Sequence, residues 1–237
     1  MTDTTFSLNK RTTLIVFLAA SFVLAVLTVF FQEQLLGLKY IEAGTQLERH
    51  QAVLNNTAPN AWQFRVLSEY LVEAWVAVVR TLGIPHPIGA AFLSFRVFQN
   101  SLIFLVAAFY YRKLGLNEYL VLIGLSALAW GMTHALVDSD LQFSNYSDVI
   151  FYLAAGLLIL YNRDVWIIPI TALAALNRET CGAIPLMLFA SRVQVRPFRI
   201  SKRPLVIVGV ACALYVLVFG TQVFVWTGST CVGDSGA

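Results

Sequence analysis

Residues 166–191 read WIIPITALAALNRETCGAIPLMLFAS, and the four polar residues in the middle of this apolar stretch, Asn177 to Thr180, decide the fold. As a single transmembrane span, the stretch would place Arg178 and Glu179 near the bilayer centre. It would also carry the basic run at 192–203 to the outer side. Membrane proteins keep Lys and Arg in their cytoplasmic loops. The sequence therefore predicts a hairpin of two short helices with its polar turn towards the outer side.

Each arm of this hairpin has about 13 residues, or roughly 20 Å of helix, whereas the hydrocarbon core is about 30 Å thick. The arms must therefore be tilted, sunk into the bundle or re-entrant. Irregular backbone at membrane depth is tolerated only beside protein or a water-filled cavity. We therefore expect a cavity around Arg178 and Glu179.

Composition places the rest of the chain in a membrane as well. Of the 237 residues, 58% are hydrophobic and 12% are charged, which is far outside the norm of soluble domains. With the hairpin, the predicted fold is an all-α transmembrane bundle of about seven hydrophobic segments. The further segments of this single domain, residues 1–237, are a first span at 13–31, an outer loop at 32–87, spans at 89–110, 118–135, 148–161 and 204–226 within 88–226, and an outer tail at 227–237.

The distribution of charge gives the orientation. Ten of the sixteen Lys and Arg residues fall in segments assigned to the cytoplasm, and ten of the thirteen Asp and Glu residues fall on the opposite side. This pattern predicts a cytoplasmic amino terminus and an outer carboxy terminus. The net charge of +3 does not imply nucleic acid, because in a membrane protein the placement of Lys and Arg says more than their sum.

The first outer loop contains a predicted amphipathic helix at residues 61–82. Arg65, Glu69 and Glu73 recur every four residues, and Arg80 follows seven residues later. These spacings place the four side chains in one polar stripe on an otherwise apolar helix. We expect this helix to lie in the outer membrane interface.

The polar residues predicted on the outer side form three groups. They are Glu42, Glu48, His50 and Arg65 in the first loop, His134, Asp138, Asp140, Asn145 and Asp148 in the second, and Asn177, Arg178 and Glu179 at the hairpin. A solvated surface is the ordinary explanation for loop carboxylates. Ionisable groups at membrane depth, such as Arg178 and Glu179, indicate a functional site, with a structural ion pair as the rival explanation.

One short motif bears on metal binding. Asp138-Ser139-Asp140 has the D-x-D form that can hold a divalent cation through oxygen ligands. A divalent cation at Asp138 and Asp140 is the one cofactor that the sequence suggests. Arg96 and Asn100, in the second span, are expected to face the bundle interior, where polar contacts are structural.

Three stretches resemble bacterial polytopic proteins related to the GT-C membrane glycosyltransferases. They are LERHQAVLNNTAPNAWQFRVLSEYL (47–71), NYSDVIFYLAAGLLIL (145–160) and ALAALNRETCGAIPLMLF (172–189). The motifs that carry the resemblance are an Arg-Val-Leu helix, an Asp at the outer start of a span and an Asn-Arg-Glu-Thr in a later span. Here they match Arg65, Asp148 and Asn177 to Thr180. The chain departs from that group in having fewer spans and no acidic motif directly after the first one.

The resemblance implies a multi-pass protein of the bacterial inner membrane that transfers a sugar from a polyprenyl-phosphate donor to a hydroxyl acceptor. In such a reaction a carboxylate removes the acceptor proton, and cations stabilise the leaving phosphate. The implied partners are membrane lipids, the lipid-linked sugar and the acceptor. The candidate catalytic residues are Glu42, Glu48, Asp148 and Glu179, and the candidate substrate-binding residues are His50, Arg65, Asn177 and Arg178.

Two other functions fit the same sequence. Broken helices with buried charge also mark substrate sites in transporters, so a transporter or lipid-handling protein is the first alternative. A structural or assembly protein in which Arg178 and Glu179 simply pair is the second. These hypotheses differ in whether the outer polar residues converge on one site.

Overall fold

The computed structural model describes residues 10–37, 44–134, 141–195, 198–199 and 202–230. Over this part of the chain the fold is helical, apart from one antiparallel pair of two-residue strands, β1 (Gln194–Val195) and β2 (Phe198–Arg199). The helices, in chain order, are α1 (Lys10–Leu36), α2 (Thr45–Leu54), α3 (Asn60–Gln63), α4 (Val66–Thr81), α5 (Pro87–Lys113), α6 (Glu118–His134), α7 (Phe143–Leu160), α8 (Ile167–Ala175), α9 (Ala183–Arg192) and α10 (Lys202–Thr230). Single 3₁₀ turns precede α8 (Asp164–Trp166) and α9 (Glu179–Gly182).

Four of the described helices are long and apolar enough to cross a membrane: α1, α5, α7 and α10. Two of them turn wide apolar faces away from the protein. Ile15 and Phe22 of α1 are 65% and 58% exposed, and Phe224 of α10 is 80% exposed. Exposed apolar area on this scale is unfavourable in water and favourable in lipid. The all-helical membrane architecture predicted from composition therefore agrees with the structure.

Helix α5 is the centre of the bundle. It packs against α1, α4, α6 and α7, and half of its most apolar stretch is buried, compared with 17% for α10. Pro87 occupies its first turn, where the missing N–H costs nothing. Around α5 lie two apolar clusters, one with α1 and α6 near Phe104 and Leu125, and one with α4 near Val76 and Phe92. A third cluster joins α7 to α8, α9 and α10.

The segment 166–191 forms a hairpin, as predicted. Arg192 at the end of α9 meets Asp164 just before α8, with an Nε–Oδ2 distance of 3.1 Å and an Nη2–Oδ1 distance of 2.7 Å. A single continuous helix would hold these two residues at opposite ends. The arms contain 9 and 10 helical residues, fewer than predicted, which gives each a length of about 15 Å.

The bundle has two chemically different ends. At one end, Lys113 lies 4.6 Å from the ring centroid of Tyr161, and Arg192 donates a 2.9 Å hydrogen bond to the carbonyl of Ile159. At the other end, the Gln32 side chain donates to the Met132 carbonyl (3.0 Å) and accepts from the Tyr146 hydroxyl (3.2 Å). The break of the hairpin lies at this second end, because Asn177 donates to the carbonyl of Ser144, near the start of α7.

Several predicted boundaries require correction. The predicted helix at 61–82 is two helices, α3 and α4, because Arg65 between them has φ −94° and ψ 48° and leaves the helical path. Helix α2 was not predicted. Helix α7 begins at Phe143 rather than at residue 148, so Asp148 lies inside the helix. Helix α10 continues to Thr230, through the first residues of the predicted outer tail.

Candidate functional site

The candidate site lies where three distant segments of the chain meet: the break before α4, the first turns of α7 and the break between α8 and α9. We call it the break cluster, and it consists of Arg65, Asp148, Asn177, Arg178 and Glu179 together with the side chains that bind them. The backbone also joins two of these segments, since the amide of Leu67 donates a 3.0 Å hydrogen bond to the carbonyl of Leu176.

Asp148 is the buried acidic centre of the break cluster. Its Oδ1 accepts a 2.6 Å hydrogen bond from Asn177 Nδ2 and a 3.3 Å hydrogen bond from the Cys181 thiol. Its Oδ2 lies 3.4 Å from Arg178 Nη1. A carboxylate with three donors around it is held in one orientation and compensated for its burial. Asp148 is therefore placed to hold Arg178, and its predicted catalytic role stays a prediction.

A directional chain of buried hydrogen bonds leads into Asn177. Gln99 of α5 donates through Nε2 to the Ser147 hydroxyl at 2.9 Å, and the two hydroxyls of Ser147 and Ser68 lie 2.7 Å apart. Ser68 in turn donates to Asn177 Oδ1. Because an amide N–H only donates and each hydroxyl carries one hydrogen, the donors all point from Gln99 towards Asp148. These hydrogen bonds fix the orientation of the Asn177 amide, so that its N–H groups point towards Asp148 and Ser144.

The charged side of the break cluster is partly open. Arg65 Nη2 lies 3.6 Å from Glu179 Oε1, and Arg178 Nε lies 4.0 Å from the same oxygen. Arg65 also donates to Gln142, and Arg178 donates to Asn145 at 2.6 Å. The side chains of Arg178 and Glu179 are 28% and 37% exposed, so this side of the cluster is reachable from its surroundings. The cavity predicted around these two residues stays a prediction.

Three atoms in the break cluster lack hydrogen-bond partners among the described residues although they are buried: Arg65 Nε, Arg178 Nε and Glu179 Oε2. Buried polar atoms are normally paired. Burial lowers the pKa of Arg65 from its ordinary value, and the Arg178 charge lowers it further, whereas Glu179 and Asp148 raise it. Two guanidinium groups that repel each other and keep unused donors can bind an added anion such as a phosphate.

Two tyrosines hold the backbone of the break in place. The hydroxyl of Tyr152 on α7 donates to the Thr180 carbonyl at 2.6 Å, and that of Tyr215 on α10 donates to the Glu179 carbonyl. The Tyr215 ring also lies against Gly182, where an added Cβ would come within 3.0 Å of it. A side chain at position 182 would therefore have to displace the Tyr215 ring by a few tenths of an ångström. The carbonyls of the irregular backbone are satisfied by tyrosines of neighbouring helices.

The structure brings together five of the residues predicted to carry function. They are Arg65, Asp148, Asn177, Arg178 and Glu179. Glu48 is exposed on α2, and among the described residues no hydrogen bond or ion pair connects it to the break cluster. Glu42, Asp138 and Asp140 lie outside the described residues. Within the described ranges, no group of three or more His, Cys, Asp or Glu side chains is arranged to hold a metal ion.

His50 lies in a different place from the break cluster. Its two ring nitrogens contact Glu69 at 2.6 Å and Glu73 at 3.1 Å, so two members of the predicted polar stripe face α2. Arg65 and Glu69 are buried, whereas the Glu73 and Arg80 side chains are 39% and 53% exposed, so protein covers only the first half of the stripe. The substrate-binding role of His50 stays a prediction, and its contacts suggest another role.

Sequence reasoning missed the residues that position Asn177. Ser68, Gln99, Ser147 and Cys181 were not singled out as candidate site residues. Gln99 had a recognisable feature, since it lies beside Asn100 in an otherwise apolar span. The two serines had none, because a serine in an apolar helix usually bonds its own backbone.

Comparison with known proteins adds no relative. No family model, no curated protein and no solved structure matches this chain.

Proposed function

We propose that this chain binds a lipid-linked phosphate at the break cluster and transfers the attached sugar to a hydroxyl acceptor, in the manner of the GT-C enzymes that its sequence resembles. The observation that carries the proposal is the meeting of Arg65, Arg178 and Glu179 at the break of a membrane hairpin. The Nε–H of each guanidinium group has no hydrogen-bond partner within the part of the chain that the structure describes. A phosphate on a polyprenyl chain reaches such a site from the lipid, and its charge suits two cations.

The residues divide the chemistry between them. The acceptor oxygen attacks the anomeric carbon of the sugar, and the bond from that carbon to the phosphate oxygen breaks. The electron pair stays on the polyprenyl phosphate, whose growing charge Arg65 and Arg178 stabilise. Glu179 is the candidate base for the acceptor proton, because its Oε2 has no partner among the described residues and its side chain is partly exposed. Asp148, which Asn177 orients, holds Arg178 in place.

The same proposal includes the finer topology. The four long apolar helices, the shorter apolar α6 and the two arms of the hairpin give seven hydrophobic segments. Lys113, Tyr161 and Arg192 mark the basic end of the bundle, and the positive-inside rule assigns that end to the cytoplasm of a bacterial inner membrane. The break cluster then faces the outer side, where a lipid-linked sugar donor would meet it.

A second candidate function is structural, and one observation favours it. Each guanidinium already has a carboxylate: Arg65 has Glu179 at 3.6 Å, and Arg178 has Asp148 at 3.4 Å. A neutral set of two cations and two anions can be purely structural, holding short helices together without binding a ligand. The two functions differ in whether removal of an arginine weakens phosphate binding or only stability.

The test uses the full chain in lipid nanodiscs and compares binding of a polyprenyl phosphate with binding of the uncharged polyprenol. We expect preference for the phosphate, and a loss of about 10- to 100-fold in affinity in Arg178→Gln, the effect of one charge-assisted hydrogen bond. The matched control is Arg112→Gln, which removes a guanidinium paired with Glu118 at 3.1 Å, away from the break cluster. Glu179→Gln should retain binding and abolish sugar transfer.

Two results would contradict the proposal. One is equal binding of the phosphate and the polyprenol by the unaltered chain. The other is unchanged phosphate affinity in Arg178→Gln together with lower stability, which would establish the structural function instead.

A further inference from the structure

A second ionisable group lies apart from the break cluster, between α2 and α4. His50 of α2 is 4% exposed. Its Nδ1 lies 2.6 Å from Glu69 Oε2 and its Nε2 lies 3.1 Å from Glu73 Oε2. The ring packs edge-on against Phe92 of α5, with 5.2 Å between the ring centroids. One imidazole therefore connects three helices.

The protonation state of His50 follows from the number of its donors. A neutral imidazole has one N–H, whereas the imidazolium ion has two. Both ring nitrogens of His50 face a carboxylate oxygen, so only the imidazolium can donate to Glu69 and Glu73 together. Such hydrogen bonds between charged groups are stronger than neutral ones. After loss of the proton, one ring nitrogen of His50 would turn an unshared electron pair towards a carboxylate oxygen. Glu69 and Glu73 would also lose the cation that they share.

We propose that His50, Glu69 and Glu73 form a proton-operated clasp that holds α2 on α4 and opens when His50 loses its proton. This clasp is independent of sugar transfer and would work in the same way if the break cluster were structural. Helix α4 connects the two places, because Ser68, the residue before Glu69, donates to Asn177 of the break cluster.

Other charged side chains lie on the helices that form the clasp or pack against it. Arg80 of α4 lies 3.8 Å from Glu73 Oε1, the oxygen of the carboxylate that His50 does not use. On α2 itself, Glu48 is exposed and Arg49 lies 4.2 Å from the ring centroid of Trp62 on α3. On α5, Arg96 is buried and donates to the Leu141 carbonyl at 2.9 Å.

The pKa of His50 gives the direction of the response. Burial lowers it, but the hydrogen bonds and charges of Glu69 and Glu73 outweigh burial, so the pKa lies above the ordinary value of 6.5. The clasp therefore contributes its full stability below pH 6.5, the ordinary value, and loses it as the pH rises through the raised pKa of the folded state. Alkaline conditions open the clasp.

Solvent can reach the clasp. A cavity of about 370 Å³ lies beside it, and its lining includes His50, Glu73, Arg80 and Phe92. Water in this cavity can exchange a proton with His50 while the ring itself stays buried. The clasp can therefore follow the pH of the compartment into which the cavity opens.

The test is hydrogen exchange of the full chain in nanodiscs, measured between about pH 5.5 and 9 and corrected for the intrinsic pH dependence of exchange. We expect protection of residues 45–54 to fall by up to about tenfold per pH unit between pH 6.5 and the raised pKa of His50, where the closed clasp holds one proton more than the open one, and to level off above that pKa. Protection of residues 118–134 should stay constant. His134→Gln, which removes an exposed histidine on α6, should behave like the unaltered chain, whereas His50→Gln should lose the pH dependence.

A direct measurement keeps the proposal testable if His50→Gln does not fold. The chain has three histidines, so ¹⁵N-histidine labelling gives three sets of ring signals, and His86→Gln and His134→Gln assign the third to His50 by elimination. Two protonated ring nitrogens in His50 at pH 6.5 would support the clasp. A neutral ring at that pH, or unchanged protection of residues 45–54 across the titration, would overturn it.

Discussion

Asn177→Leu is the substitution that tests the buried half of the break cluster most directly. Asn177 is 0% exposed, and its amide joins three groups. It accepts from the Ser68 hydroxyl, and it donates to the Ser144 carbonyl at 2.8 Å and to Asp148 Oδ1 at 2.6 Å. Leucine has the same number of side-chain heavy atoms and the same branching but offers neither a donor nor an acceptor, so all three bonds are lost.

The expected cost follows from these three bonds. Hydrogen bonds between helices in a membrane are worth about 0.6 kcal/mol each on average, which sets a lower limit of about 2 kcal/mol. The bond to Asp148 raises the expected destabilisation, because loss of a close donor to a buried carboxylate costs about 1.5–3 kcal/mol more. We therefore expect Asn177→Leu to lower the free energy of unfolding by about 2–5 kcal/mol.

The assay is reversible unfolding of the full chain in mixed micelles, followed by its helical circular dichroism. Asn100→Leu is the matched control. Asn100 is also 0% exposed, but among the described residues its amide donates to the Arg96 carbonyl alone and its Oδ1 has no hydrogen-bond partner. We expect this control to change stability by less than about 1 kcal/mol. Equal effects of the two substitutions would refute the assignment of the Asn177 amide as the central connection of the cluster.

The remaining predictions concern the hairpin. Gly182→Ala should destabilise the fold by about 1–3 kcal/mol, because the new Cβ would meet the ring of Tyr215. At Gly209, an added Cβ would meet no atom of the described residues within 4 Å, so Gly209→Ala should be neutral or stabilising by up to about 1 kcal/mol. The same unfolding assay measures both variants, and a neutral Gly182→Ala would contradict the close contact with Tyr215. Asp164→Asn should cost about 1–3 kcal/mol, since it weakens the two-point ion pair with Arg192 that closes the hairpin. Limited proteolysis between α9 and α10 should then become faster, and an unchanged rate would show that the pair does not hold the hairpin closed.

The fold was predictable wherever its cause is local in the sequence. Lengths of apolar sequence indicate membrane helices, and the polar break at Asn177 to Thr180 indicated a hairpin. The predictions were less accurate where neighbours decide the outcome. Arg65 fits the periodicity of an amphipathic helix, yet it leaves the helix because Gln142 and Glu179 bind its side chain. The start of α7 was placed too late, because Asn145 and Asp148 read as loop residues until their partners on the hairpin are known.

The candidate site was predictable only in part. Charged residues in apolar surroundings stand out, so Arg178 and Glu179 were recognisable, and the motifs that resemble the GT-C group pointed to Arg65 and Asp148. Small hydroxyl and amide side chains do not stand out, since serine and glutamine occur in many helices without a partner in another helix. The series of hydrogen bonds from Gln99 to Asn177 could therefore be recognised only in the folded structure, where three distant segments are in contact.

The sequence by itself determined that this is a helical membrane protein with a broken hairpin and a basic end, because hydrophobicity and charge act through the solvent and need no partner. Tertiary structure alone decided which polar groups meet. A hydrogen bond or ion pair depends on distances of a few ångströms between residues far apart in the chain, as with Ser68 and Asn177 or His50 and Glu69. Packing of the helices around α5 sets these distances, and for that reason the break cluster and the clasp could be found only in the folded chain.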